Sequence, residues 1–241
     1  MRGDETRDRI KLAARRLFAE RGIDGVSIRE IVAAAGQRNV GSLHYYFRTK
    51  ETLVRELIAD GAKLIDDRRN AMLEAMAGEG GPRTLRDVIE ALVWPSVNLG
   101  EAEGEEDTYL RFIVSLTMNH RQLFIEALEE KWNSGYQQCI ALIKTMLPDV
   151  PPALLNQRLV FMGLYLGAVM TAREAAFDRG GHGRAFWAAG DTMSNFIDTV
   201  QALLECPVSS ETMTECRAAK VSVLPDSFEA MPARGMLVGV D

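Results

Sequence analysis

Between residues 37 and 50 the chain gathers side chains suited to nucleic acid: Gln37, Arg38, Asn39, Ser42, His44, Tyr45, Tyr46 and Lys50. An arginine can donate two parallel bonds to guanine O6 and N7, and an asparagine can pair with adenine N6 and N7. Each such pair discriminates against a wrong base by roughly 1–3 kcal/mol. Base reading is therefore expected of Arg38, Asn39, Ser42 and His44. A lysine ammonium or a tyrosine hydroxyl suits phosphates instead, contacts that set affinity and register but carry no sequence information. Lys50 and Tyr45 or Tyr46 are expected to make them. Competing chemistry is thin. His44, His120 and His182 lie far apart, with no HExxH motif and no Cys/His cluster. There is no GxSxG motif, no glycine-rich phosphate loop and no Glu-x-x-His pair of the di-iron type. Glu126, Glu129 and Glu130 share one helical stretch and read as a solvated face. No catalytic residue, metal ligand or cofactor is expected, and an all-α enzyme is the remote alternative.

The elements that must position these side chains are helical. Ile10, Ala13, Ala14, Leu17 and Phe18 form the apolar stripe of an amphipathic helix over 7–20, ended by Gly22. Ser27-Ile28-Arg29-Glu30 has the spacing of a capping box and opens a short helix over 28–34 that stops near Gly36. A third helix over 40–46 follows, and Thr49 caps a long one reaching 76. Three short helices with a tight turn between the second and third form a helix-turn-helix, whose third helix enters the DNA major groove. Ile28, Ile31, Leu43, Phe47 and Leu53 are the expected small core. The N-terminus of the second helix, with the Ser27 hydroxyl and Arg29 beside it, suits a phosphate.

The residues go beyond a generic pattern. Ala13-Ala14-x-x-Leu17-Phe18-x-x-x-Gly22, Ser27-Ile28-x-x-Ile31, Ala35-Gly36 and Tyr45-Tyr46-Phe47-x-x-Lys50-Glu51-x-Leu53 together resemble the N-terminal domain of the TetR family of bacterial repressors. The likeness covers about residues 6–56. One residue more than the family's commonest pattern stands between Ala35-Gly36 and Leu43, which is similar to a subgroup carrying Ala-Gly-Gln-Arg-Asn at the turn. His44 stands where many members have tyrosine. The resemblance implies a DNA-contacting set of Ser27, Arg29, Gln37, Arg38, Asn39, Val40, Gly41, Ser42, His44, Tyr45, Tyr46 and Lys50.

Downstream, helices are expected over 84–99 with a kink at Pro95, 109–118, 119–148, 151–180 and 184–205, giving about nine in an all-α fold. The expected organisation is a DNA-binding domain over 1–50, an effector-binding and dimerisation domain over 51–205, and an extension over 206–241. Residues 159–172 are nearly uncharged but too short to span a bilayer, and read as a buried helix. The resemblance implies that the last two helices pair two copies. Candidates are Gly163, Gly167, Thr171, Phe186, Ala189, Met193, Phe196 and Val200, though the same small residues could serve close packing within one subunit. It also implies a sensor pocket among the middle helices. Trp94, Phe112, Met118, Trp132, Tyr136, Met162 and Tyr165 are the candidates for an apolar or aromatic effector, and each could equally be plain core.

Charge is distributed to match. The net charge is −6, yet residues 1–60 hold 12 Lys/Arg against 9 Asp/Glu, and the remaining 181 hold 16 against 25. A basic head on an acidic body attracts phosphates at one end only, which speaks against an architectural protein that coats DNA. Cys139, Cys206 and Cys216 are odd in number without CxxC spacing, as in a reducing compartment. The N-terminus is charged with no apolar stretch behind it, so a cytoplasmic location is expected. The expected function is a homodimeric, effector-released repressor on a palindromic operator. A transcriptional activator and an effector-independent DNA-binding protein are the alternatives.

Overall fold

The computed structural model describes residues 2–100, 107–128 and 131–218. Among these residues the fold is all-α: α1 (Arg2–Arg21), α2 (Ile28–Ala34), α3 (Gly41–Phe47), α4 (Lys50–Gly78), α5 (Leu85–Val93), α6 (Tyr109–Asn119), α7 (Arg121–Leu128), α8 (Ser134–Met146), α9 (Pro152–Arg179), α10 (Gly181–Ala188), α11 (Gly190–Glu205) and α12 (Ser210–Ala218), with a 3-10 turn at Trp94–Ser96. The count is twelve rather than about nine, and three local causes account for the excess. The helix expected over 119–148 is broken around Trp132, whose φ of 61° is not helical. The one expected over 184–205 is broken at Ala189, which is extended (φ −64°, ψ 134°). Within the extension expected over 206–241, Ser209 Oγ accepts the Thr212 N–H at 3.1 Å and starts α12. Residues 219–241 lie outside the described residues, as do 101–106 of the acidic loop and Glu129 and Glu130.

The described residues form two compact units. One comprises residues 2–64, 98–100, 107–128 and 170–184; the other comprises 65–97, 131–169 and 185–218. In the first, Ile10, Ala14 and Phe18 recur one turn apart on α1 and are fully buried. α1 packs on α6, where the Phe18 and Phe112 rings stack with centroids 6.0 Å apart. Tyr109 crosses above Gly61, where any side chain would strike its ring, and its hydroxyl donates to the Ile58 carbonyl at 2.9 Å.

No side chain of its own caps the N-terminus of α6. The buried Glu174 of α9 does so, its two oxygens accepting the N–H groups of Leu110 and Arg111 at 2.8 Å each.

The second unit is built on α5, which packs against α8 and α11. Its Thr84–Asp87 capping box fixes the start. Pro95 does not kink a helix over 84–99 as expected; it ends one at Val93. A proline at this point removes the N–H that would have met the carbonyl four residues back. The freed Ala91 and Leu92 carbonyls accept from the buried Arg69, through Nε and Nη2 at 3.1 Å each. Asp66 of α4 then caps α8, accepting from the Gly135 N–H and the Ser134 hydroxyl at 2.9 Å.

α9 is long and apolar enough over Pro152–Asp178 to cross a bilayer by length and composition. Its Met162, Gly163, Leu166, Gly167 and Met170 are buried in this chain, and Phe161 and Leu164 are exposed.

Candidate nucleic-acid interface

The head is held by Ile31, Leu43, Phe47 and Leu53, all buried, with Ile28 half-buried at their edge. The Ser27 capping box forms: Ser27 Oγ accepts the Glu30 N–H at 3.3 Å, and Glu30 Oε2 accepts the Ser27 N–H at 2.8 Å. Ser27 and Arg21 hold the Glu30 carboxyl down to about 2. A carboxylate thus already sits where a phosphate was expected, at the start of α2. Ser27 and Arg29 are exposed beside it.

α2 ends in a Schellman motif, with Gly36 N–H donating to Ala33 O and Gln37 N–H to Val32 O. Gly36 takes φ +68°, a left-handed conformation that suits glycine. The turn then delivers Arg38 and Asn39 to the surface, with Gln37 and Val40 half-buried. Asn39 Oδ1 accepts the Gly41 N–H at 2.8 Å and its carbonyl accepts from the Ser42 hydroxyl at 2.6 Å, so Asn39 caps α3.

On α3, His44 Nδ1 lies 2.8 Å from the Arg48 carbonyl and must donate to it, which leaves Nε2 directed elsewhere. Tyr45 is 82% exposed, with the half-buried Tyr46 ring edge-on to it at 5.0 Å. Lys50 turns inward. Its Nζ donates to the carbonyls of Ile23 and Val26 at 2.5 and 2.6 Å and lies over the Phe18 ring. Arg29, Arg38 and Arg48 are exposed and make no ion pair with a described residue. Arg7 and Lys11, by contrast, are neutralised on α4 by Glu56 and by Glu56 with Asp60.

Residues 10–57 match the family model of bacterial regulatory proteins, tetR family. The head is a tetR-family domain. Its presence makes the chain a DNA-binding transcriptional regulator. No curated protein matches the chain. A crystal structure from Mesorhizobium loti, described as a candidate TetR-family transcriptional regulator, is similar at 20% identity over 85% of this chain and 97% of that one, with a TM-score of 0.48.

Outside the tetR-family head, the residues expected to line a sensor pocket are divided between the two units. Phe112 and Met118 belong to the first unit and the other five to the second. Phe112 is core under Phe18, whereas Met118 is 80% exposed. Met162 is buried, Tyr136 and Tyr165 are half-buried, and Trp94 and Trp132 lie at the surface.

The residues expected at a dimer surface also divide. Gly163, Gly167, Met193, Phe196 and Val200 are buried within the chain, Thr171 is half-buried, and only Phe186 and Ala189 are exposed. The Tyr165 ring meets Phe196 at 5.4 Å and its hydroxyl lies 2.9 Å from Thr199 Oγ1, so this face of α9 is spent on α11. Among the described residues of α9, α10 and α11, the large apolar side chains left outward are Phe161, Leu164 and Phe186.

Sequence reasoning missed Arg9, whose Nη2 donates to the Ala35 carbonyl at 2.9 Å. Twenty-six residues separate the two groups, and no local pattern signals the bond.

Proposed function

We propose that this regulator is a repressor that binds a palindromic operator as a homodimer and is released by a small, largely apolar effector. The observation that carries the reading is the tetR-family helix-turn-helix whose turn leaves Arg38 exposed and whose third helix leaves His44 and Tyr45 exposed, while Leu43 and Phe47 on its apolar side are buried. A head of this size contacts few phosphates, so tight binding calls for two copies on half-sites one helical turn apart, about 34–36 Å. The outward Phe161, Leu164 and Phe186 support a second copy as the means of pairing them. Reading falls to Arg38, Asn39, Ser42 and His44, and phosphate contact to Tyr45, Tyr46 and Lys50.

Release is a population shift: the effector favours a state with a different spacing of the two reading helices. A coupling of about 1–3 kcal/mol would change occupancy by roughly 5- to 150-fold. The free thiols of Cys139, Cys206 and Cys216 suit a cytoplasmic site. No enzymatic activity is assigned.

The test is selection of bound DNA from a random pool at fixed salt, with sedimentation of the same protein. A palindrome bound by a dimer supports the reading. A monomer that enriches nothing at low salt removes it. Operator affinity that persists across a broad panel of small molecules would leave an effector-independent binder.

A further inference from the structure

We propose that Arg9 is a positioning residue for sequence reading, a guanidinium on α1 that fixes the turn from which α3 departs. The inference rests on the reading of α3 as the recognition helix. The Schellman motif satisfies the carbonyls of Val32 and Ala33 but leaves that of Ala35 without a helical partner. Arg9 Nη2 fills the place at 2.9 Å. The same placement is felt at the next residue: a Cβ at Gly36 would lie 2.5 Å from Arg9 Nη2, so the guanidinium lies directly against the glycine backbone. The α1 end of the link is rigid, because the neighbouring Ile10 is fully buried.

The turn is therefore tied at both ends. Arg9 holds Ala35–Gly36, and the Asn39 cap holds the start of α3, with the Gln37 N–H committed to Val32 between them. Arg38 and Asn39 follow Gly36 by two and three residues. A shift at Ala35 would move both without touching a DNA contact. The Arg9 charge serves a protein carbonyl, so its removal should blur base reading rather than remove a phosphate contact.

The experiment compares the full chain with its Arg9→Met and Arg9→Lys variants in two ways. Amide hydrogen exchange without DNA should be at least several-fold faster over residues 36–40 in Arg9→Met, with the α1 core amides around Ala14 unchanged and Arg9→Lys close to wild type. Binding to the selected site should weaken about ten-fold in Arg9→Met, the loss of one charge-assisted hydrogen bond partly open to water. Base preference should broaden and the salt dependence should keep its slope. In a Gly36→Ala background, where a methyl group displaces the guanidinium and the left-handed φ of +68° strains the turn, Arg9→Met should change affinity less than two-fold further.

Unchanged exchange over 36–40 overturns the inference, even if the wild-type chain selects no DNA and the recognition reading itself fails. A salt slope lower by about one makes Arg9 a phosphate ligand and also overturns it. Additive losses from the two substitutions do the same.

Discussion

Asn39 Oδ1 accepts the backbone N–H of Gly41 at 2.8 Å, so the side chain best suited to read adenine is also the one that starts the reading helix. The two roles separate by substitution. Serine keeps a capping oxygen but cannot pair with adenine at two points, whereas alanine loses both. Asn39→Ala should cost about 1 kcal/mol of stability and Asn39→Ser a few tenths. Both should lose adenine preference at one operator position in a DNA selection. Equal destabilisation by the two variants would show that the cap contributes nothing.

Lys50 presents the same duality. Its ammonium has three N–H donors, and two of them point at the carbonyls of Ile23 and Val26. Lys50→Met keeps an unbranched side chain of similar length but removes the ammonium from the Phe18 ring and leaves those carbonyls without their cation. Unfolding in denaturant should show a loss of about 1.5–3 kcal/mol, the range for hydrogen bonds to charged groups. The third donor remains for a phosphate, so the salt slope of DNA binding should also fall by about one, with base preference unchanged. A stability loss with an unaltered slope would make Lys50 a purely structural lysine.

These local devices were legible in the sequence because their parts lie within a turn or two of one another. Ser27 with Glu30, Thr49 with the N–H of Thr52, and the left-handed Gly22 and Gly36 all follow from spacing alone. The trans contacts were not. Asp66 capping α8, Glu174 capping α6 and Arg69 taking the carbonyls freed by Pro95 join residues 22 to 69 positions apart, and no period connects them. Gly163, Gly167 and Phe196 illustrate a different limit. A helical period shows that a face is apolar, but not whether the same chain or another copy covers it.

That distinction yields a prediction about assembly. Phe196 is buried against Tyr165, whereas Phe161 and Leu164 face outward on α9 one turn apart. Phe196→Ala should therefore cost about 3–5 kcal/mol of stability, the usual loss for a buried phenylalanine. A Phe161→Ser, Leu164→Ser double variant should keep its helical circular dichroism and sediment as a monomer. If the double variant stayed dimeric while Phe196→Ala gave a folded monomer, the pairing surface would be the inward face after all.

Glu174 gives stability a pH dependence whose sign can be worked out. Burial and the neighbouring Asp107 push its carboxyl up to about 8, against the opposing pull of Arg111 and of two backbone N–H groups. Asp178 and Arg173 are the other charged groups of α9 beside it, one paired to Arg111 and the other bonded to Asn98. A raised acid binds its proton more tightly in the folded chain than in the unfolded one, so its contribution is complete below about pH 4.5. It is lost as pH climbs to about 8.

Glu174→Gln cannot ionise, but its amide NH2 faces one of the two N–H groups that the carboxyl had satisfied. The variant should thus be clearly less stable than wild type at pH 5. The gap in melting temperature should close steadily between pH 5 and pH 8, then stay level above. Melting both proteins across that window isolates this site, because the titrations away from it are shared. A gap that did not change with pH would mean that Glu174 is ionised in the folded chain throughout, held so by Arg111 and the N-terminus of α6.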